Sequence, residues 1–494
     1  MKIDFLIKTF SAGTFPGAGG NTVQANTVLM NTPFGGLDKL KEVYFIGIGG
    51  IGMSAIARFF HAGGVKVSGY DKTPTPLTRE LETSGIAVHY EDNTALIPKD
   101  AELIVYTPAV PADHSGLVFY RDNGYKVVKR SDVLQLISKS SFNICIAGTH
   151  GKTTITTMTA HLLRDSGFGC NAFLGGIAVN YGTNFWSSEK NVCVIEADEY
   201  DRSFLKLSPD VAVITAMDAD HLDIYGTAEA MEEAFISFSK VIKPGGLLIR
   251  QFGLKRGKEL QASQHFTYSL QNEAADLYAA NIRMMNGSYE FDVVLQDEVI
   301  ENVKLNMGGM HNVENAVAAI AIASSLGIER QKIKTAVENF RGVKRRFEYI
   351  LKNDRIVFID DYAHHPEELR ALINGARTLF RDKKCTVLFQ PHLFSRTRDH
   401  ADGFADVLDL ADEVVLLPIY PARELPVKGV NSEMVLDRMK QDDKAVMDKA
   451  ALLEWIKKEY LPGVNTEFGS VLITAGAGDI DTLIEPIKDL LKEL

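Results

Sequence analysis

The apolar run Phe142 to Ala147 is followed at once by Gly148-Thr149-His150-Gly151-Lys152-Thr153-Thr154, and then by a helical stretch from Thr154 to Arg164. Few folds accommodate that order. A short apolar run closed by glycine reads as a buried strand, and such strands belong to sheets covered by helices. Glycine at the turn lets the backbone wrap around an anion. The amides at the helix start then point at phosphate oxygens, and the helix dipole adds to the pull. Lys152 is placed to reach the outer phosphates of a nucleoside triphosphate, and Thr153 to ligand Mg²⁺. The full P-loop pattern carries Gly where Ile146 stands, so this is the shorter G-x-x-G-K-T-T. An ordinary glycine-rich strand-to-helix turn is the competing reading.

A second unit of the same kind lies upstream. Glu42 to Ile46 reads as a strand, Gly47-Ile48-Gly49-Gly50-Ile51-Gly52 as a turn, and Met53 to Gly63 as a helix; a further strand, Val65 to Tyr70, ends at Asp71. The glycines permit a tight turn and close approach of a pyrophosphate, and Asp71 is placed to bond a ribose hydroxyl. The motif does not separate NAD from another diphosphate nucleotide, and a glycine-rich turn of any doubly wound sheet is the plainer alternative. Strands at Leu103 to Tyr106 and Lys126 to Val128, and a helix around Ser131 to Ser138, complete this block.

After the phosphate loop, a strand at Val192 to Ile195 ends in Glu196-Ala197-Asp198-Glu199-Tyr200-Asp201. Another, Val211 to Thr215, leads to Asp218-Ala219-Asp220-His221-Leu222-Asp223. Open α/β sheets bind ligands at the carboxyl ends of their strands. Acids there suit Mg²⁺, which takes oxygen ligands and keeps some waters; solvated acidic loops are the alternative. Gly308 to Gly327 reads as a helix on which Asn312 and Asn315, three apart, share a face as caps or as ligands.

A third block follows Arg341 to Phe347. Val357 to Asp360 ends in Asp361-Tyr362-Ala363-His364-His365-Pro366, and Thr386 to Phe389 ends in Gln390-Pro391-His392. The pair Arg396 and Arg398 is placed to clamp a carboxylate or phosphate, unless it is an exposed charged turn. Strands at Val414 to Pro418 and Val471 to Thr474 complete an α/β chain of three doubly wound domains in series, without a repeat of fixed period. The 494 residues suit about three domains. The expected divisions are a flexible leader at 1–37, or an extension before a later start such as Met30, then domains at 38–140, 141–341 and 342–494.

A net charge of −11 argues against a nucleic-acid partner, although a local positive site can still take an anionic substrate. Cys145, Cys170, Cys193 and Cys385 show no disulfide or metal spacing, which fits a reducing cytoplasm. No stretch is long and apolar enough to span a membrane, so no membrane partner is expected.

Taken together, GIGGIGMS, GTHGKTT, EADEYD, DADHLD, HNVEN, RRFE, DDYAHHPEE, FQPH and SRTRD, in that order, resemble the Mur ligase family from about residue 40 to the C-terminus. The resemblance is closest to its alanine-adding branch. It implies a Rossmann-like UDP-binding domain, a central P-loop-type ATPase domain and a C-terminal Rossmann-like domain that takes the amino acid. The reaction implied is ATP-dependent ligation of L-alanine to the lactyl carboxylate of UDP-N-acetylmuramate through an acyl phosphate, with Mg²⁺. Gly47, Gly49, Gly50 and Gly52 would hold the UDP diphosphate. Gly148, Thr149, His150, Gly151, Lys152, Thr153 and Thr154 would hold ATP, with Thr153, Glu196 and His221 on metal. Asn312 and Asn315 would face the adenine, Arg346 would bridge to the phosphates, Asp361 would bond the ribose, and His392 and Arg396 would sit near the amino acid. The residues expected to carry catalysis are Lys152, His221, Arg346, His392 and Arg396, and either His392 or His364 would deprotonate the amine.

Two departures bear on the branch. Leu393 follows the His of QPH, where many alanine-adding members carry Arg. Phe235 stands where ligases for later residues carry a carbamylated Lys. A ligase that recycles murein peptides is the alternative within the family, and a dehydrogenase or a non-catalytic nucleotide switch the alternatives outside it. A monomer or weak homodimer is expected.

Overall fold

The computed structural model describes residues 40–492 apart from 201, 219–221, 286, 297 and 423. The leader at 1–37 and His221 therefore lie outside the described residues. The chain forms two compact units: one runs to Ala280 and takes in Asp292–Val303 and Glu314–Phe340, and the other consists of Asn281–Phe291, Lys304–Val313 and Arg341–Leu494.

The first sheet is built from β1 (Glu42–Ile46), β2 (Lys66–Tyr70), β3 (Ala87–His89), β4 (Leu103–Tyr106) and β5 (Val127–Lys129). The order is β3-β2-β1-β4-β5, parallel throughout. β1 is buried along its whole length, as a central parallel strand must be. The order reverses beside β1, which places the glycine turn and α1 (Ile51–Ala62) at the switch point where α/β sheets bind ligands. Helix α2 (Arg130–Ser140) closes this part.

The second sheet has ten strands: β6 (Phe142–Ala147), β7 (Asn171–Ala178), β8 (Thr183–Trp186), β9 (Val192–Glu196), β10 (Val211–Ile214), β11 (Leu247–Gln251), β12 (Gln264–Ser269), β13 (Leu277–Met285), β14 (Ser288–Leu295) and β15 (Glu298–Leu305). Their order is β15-β14-β13-β12-β11-β10-β6-β9-β7-β8. β6 pairs in parallel with β10 and β9, while β7 and β8 are antiparallel. Helix α3 (Lys152–Asp165) starts two residues before the expected Thr154, so Lys152 and Thr153 belong to its first turn. Helix α4 (Met310–Ser325) carries Asn312 and Asn315.

Within the first unit the two sheets share one apolar core, in which Val43 and Phe45 of β1 and Cys145 and Ala147 of β6 are all fully buried. Helix α1 docks on the β7–β8 hairpin. Asn184 Nδ2 donates to Ile51 O at 2.6 Å and to Ser54 Oγ at 2.8 Å. The Phe59 ring lies 5.5 Å from Phe173 and 6.1 Å, edge-on, from Phe185. Phe173 and Phe185 are buried and Phe59 is partly buried, so the ring that α1 contributes adds less than the about 1.5–3 kcal/mol of a fully buried side chain.

The third sheet comprises β16 (Glu348–Lys352), β17 (Ile356–Asp361), β18 (Lys384–Phe389), β19 (Glu413–Leu416), β20 (Lys444–Val446) and β21 (Ser470–Ala475), ordered β16-β17-β21-β18-β19-β20. All pairs are parallel except β16–β17 at the edge. Helices α5 (Pro366–Leu379) and α6 (Phe394–Asp399) follow β17 and β18.

Candidate active site

The phosphate loop grows out of the buried end of β6 and is stapled to the end of β10. Thr149 N donates to Ala216 O at 3.2 Å, Thr215 Oγ1 donates to His150 O, and Asp218 N donates to Thr149 Oγ1 at 3.3 Å. Gly151 sits in the left-handed region at φ +78°, and a β-carbon there would lie 2.8 Å from Asn315 Oδ1, so the position admits little but glycine. No side chain caps the start of α3, and none caps α1 after Gly50. The residue that opens each helix is thus a glycine, which brings no side chain of its own to the first amides and leaves room for an anion. Thr154 is buried in the first turn of α3. His150 is exposed, with Nε2 3.6 Å from Asp218 Oδ2, a surface pair worth about 0–1 kcal/mol.

Lys152 folds back on the protein. Its Nζ donates to Gly148 O at 2.6 Å and to Glu199 Oε1 at 2.7 Å. The Glu199 side chain is 0% exposed and that of Lys152 15%. Burial raises the Glu199 carboxyl above the ordinary range, and Lys152 pulls it back down. Inside EADEYD nothing in the sequence distinguishes Glu199 from its acidic neighbours, so its pairing with Lys152 is visible only in the fold.

Thr153 Oγ1 donates to Glu196 Oε1 at 3.0 Å, and Gly175 N donates to Glu196 Oε2 at 3.0 Å. Burial again raises the carboxyl, against the pull of Lys152. A β-carbon on Gly175 would fall on that carboxylate. The Thr153 hydroxyl and the Glu196 carboxylate are adjacent hard oxygen donors at the phosphate loop. They fit Mg²⁺, which takes one or two protein ligands and fills its octahedron with water and phosphate. Among the described residues, no group of three His, Cys, Asp or Glu is assembled for a metal.

At the upstream loop, Gly47 N and Ile48 N donate to Tyr70 O at 2.8 and 2.9 Å, holding the turn against the end of β2. Gly49 N donates to Asp71 Oδ2 at 2.7 Å, so Asp71 closes on the loop itself. A β-carbon at Gly52 would collide with the guanidinium of Arg130.

In the second unit, Asp361 ends β17 and accepts from Phe347 N and Ala363 N, each at 2.7 Å. It pins a turn in which Arg345 and Phe347 hold φ of +60° and +48°. Arg346 lies over the Tyr362 ring at 5.8 Å, and burial together with Arg346 lowers the pKa of His311. Asn312 is buried, and its Nδ2 donates to Gly308 O at 2.6 Å, a contact within its own helix start.

After β18, the His392 ring stacks on Tyr420 at 5.8 Å and lies 6.3 Å from His364. Arg396 Nη1 approaches His392 Nδ1 at 3.4 Å. Leu393 holds φ +69°, a conformation that costs a side-chain-bearing residue about 1–3 kcal/mol. Ser395 N donates to Glu424 Oε2 at 2.9 Å and Ser395 Oγ to Glu424 Oε1, so Glu424 anchors the start of α6. Of the pair Arg396 and Arg398, the second fits the exposed charged turn. Arg398 Nε bonds Asp399 Oδ1 at 2.8 Å on the exposed side, because helical residues two apart do not face each other.

Known proteins are similar to this chain along most of its length. The family descriptions "Mur ligase family, catalytic domain", "Mur ligase middle domain" and "Mur ligase, glutamate ligase domain" match residues 42–141, 146–323 and 345–478. The UDP-N-acetylmuramate–L-alanine ligase of Phocaeicola vulgatus is 48% identical over 92% of this chain and 99% of its own length. That of Porphyromonas gingivalis is 47% identical over 92% and 100%. The crystal structure of UDP-N-acetylmuramate-alanine ligase MurC from Thermotoga maritima superposes with a TM-score of 0.77 at 29% identity, covering 92% of this chain and 99% of that one. A murein peptide ligase from Psychrobacter arcticus reaches 0.64 at 23% identity over the same shares, a likeness of fold alone.

Proposed function

The chain belongs to the Mur ligase family, and on that premise we propose that it uses ATP to join L-alanine to the lactyl carboxylate of UDP-N-acetylmuramate, a step of peptidoglycan precursor synthesis. The relatives at 47–48% identity bear the name of that activity along nearly the whole chain. The observation that carries the reading is the uncapped α3 start with Lys152, Thr153 and Glu196 gathered on it. Residues 38–140 would bind the UDP substrate, 141–341 ATP, and 342–494 the amino acid. The described residues contain no helix long and apolar enough to cross a membrane, and the four cysteines are buried and unpaired, which supports a cytoplasmic enzyme.

A carboxylate resists amines because its charge repels the nucleophile and oxide leaves poorly. In the proposed reaction a lactyl oxygen attacks the γ-phosphorus of ATP. The new O–P bond forms as the bond to the β-phosphate oxygen breaks, and ADP departs. The alanine nitrogen then attacks the acyl carbon, the C–O bond to phosphate breaks, and phosphate leaves. The protein contributes positioning and preorganised charge. Lys152 would swing from Glu199 to the outer phosphates, and Arg346 would add a second positive charge. Thr153 and Glu196 would hold Mg²⁺, whose chemistry there is to offset phosphate charge. Gly148 to Thr154 would wrap the phosphates, Asn315 and Asn312 would line the base side, and Asp361 would meet the ribose. His221 remains assigned to a second metal by resemblance. Arg396 would bind the alanine carboxylate in the absence of an Arg at 393.

A phosphate-release assay tests the reading. Release should require UDP-N-acetylmuramate and L-alanine together, with glycine and serine weaker. Release supported by a preformed peptide instead of alanine would favour the recycling ligase, a reading that the alanine-ligase relatives do not favour.

We assign the amine's proton to His392. Its pKa is lowered by burial first and by Arg396 second. Its neutral, accepting form therefore persists to lower pH than that of an ordinary imidazole near about 6.5. The acid limb of kcat/KM for alanine should fall below that value, and Arg396→Gln should move it upward. His392→Gln should abolish the limb; an unchanged limb in that variant would pass the role to His364.

A further inference from the structure

The UDP-side loop carries a cation that none of these roles uses. Arg130 is the first residue of α2. Its guanidinium lies on Gly52, in the first turn of α1: a β-carbon there would meet Nη1 in collision and sit 3.3 Å from both Cδ and Cζ. The cation thus rests at the positive ends of two helices, where a positive charge is disfavoured. The first turn of α1 contains no acidic residue to offset it, and the acid in the first turn of α2, Asp132, is bonded to Lys206. Its carboxylate partner is Asp198, whose Oδ2 is 3.6 Å from Arg130 Nη2, and whose side chain is 42% exposed while that of Arg130 is 21% exposed. That is a long contact for a guanidinium that is mostly buried. Of the other cations near the start of α2, Lys129 at the N-cap is exposed, and Lys206 is already engaged with Asp132 Oδ1 at 2.5 Å and Ser131 Oγ at 3.1 Å.

An anion on the Gly47–Gly52 turn would supply what is missing. A planar, permanently charged fork suits a diphosphate better than a point charge does. The absence of a side chain at Gly52 lets that fork reach the turn. Asp198 stands two residues after Glu196 and one before Glu199. The same guanidinium therefore touches both the sugar-nucleotide loop and the acidic segment that serves the phosphate loop.

We propose that Arg130 binds the diphosphate of the UDP-linked substrate, holding Asp198 as its resting counter-ion. The inference rests on reading the Gly47–Gly52 turn as the UDP site. The test is calorimetric titration of the full chain with UDP, UMP and a nonhydrolysable ATP analogue. Arg130→Ala should weaken UDP roughly 10- to 100-fold, the worth of a charge-assisted pair. UMP should weaken far less, and the ATP analogue should bind as before, which reports an intact fold. Arg130→Lys should fall between wild type and Arg130→Ala. Asp198→Asn, which removes the competing carboxylate, should bind UDP at least as tightly as the wild type. Equal UDP affinity in Arg130→Ala and wild type overturns the proposal while leaving the UDP reading standing. A wild type that binds ATP analogue but not UDP overturns both.

Discussion

Replacing Lys152 with Ala should lower kcat for phosphate release by about three orders of magnitude, the loss expected when one preorganised charge on the transferring phosphoryl group is removed, roughly 4 kcal/mol. A second effect follows from the resting geometry. Lys152 is bonded at 2.7 Å to Glu199, whose side chain has no solvent exposure. Removing one partner of such a pair strands the other and costs about 3–5 kcal/mol of stability. The single variant is therefore expected to be both inactive and thermally weakened. Lys152→Ala combined with Glu199→Gln should recover most of the stability, because the stranded charge is gone, yet none of the turnover. Paired thermal melts and single-turnover assays read the two effects apart. Full turnover in the single variant contradicts the role of Lys152, and an unrecovered melt in the double variant contradicts that of Glu199.

Glu196→Ala should lower kcat by about 10²–10³ at saturating ATP, since it removes the carboxylate that Thr153 and Gly175 hold in place. Gly175→Ala probes the same site without touching a ligand. Its methyl group would land on the Glu196 carboxylate and push it aside. Displacing a group that orients a metal ligand weakens metal affinity roughly 10- to 100-fold. The Mg²⁺ concentration giving half-maximal rate should rise by that factor, with kcat largely restored by excess Mg²⁺. A Gly175→Ala enzyme with an unchanged Mg²⁺ requirement would remove Glu196 from the metal site.

Much of this site was legible in the sequence because its parts are local. A buried strand, a glycine turn and a helix start are contiguous, so β1 with Gly47–Gly52 and β6 with Gly148–Thr154 could be read together. What joins one segment to another was not legible. The Lys152–Glu199 pair spans 47 residues, and Gly175 meets Glu196 across 21. Neither residue type announces such a contact. The stretch from 224 to 307 offered no element, only Phe235 by resemblance, for a different reason. β14 alternates buried and half-buried positions, and most of β15 is exposed, so their composition lacks the apolar runs that marked the central strands. For Arg398 the sequence left a clamp and an exposed charged turn open, and its exposed pairing with Asp399 fits the second.

The docking of α1 on the β7–β8 hairpin, through Asn184 and the Phe59 cluster, has a consequence for substrate choice. If the acid is tethered by its nucleotide at one glycine turn and the phosphoryl donor sits at the other, both anchors belong to one compact unit. The two turns would then act as the jaws of a caliper: a short lactyl arm would present its carboxylate at the donor, and an arm already lengthened by a residue would overshoot. Chain length of the acceptor would be gauged by the spacing of the fold itself, before any amino acid arrives.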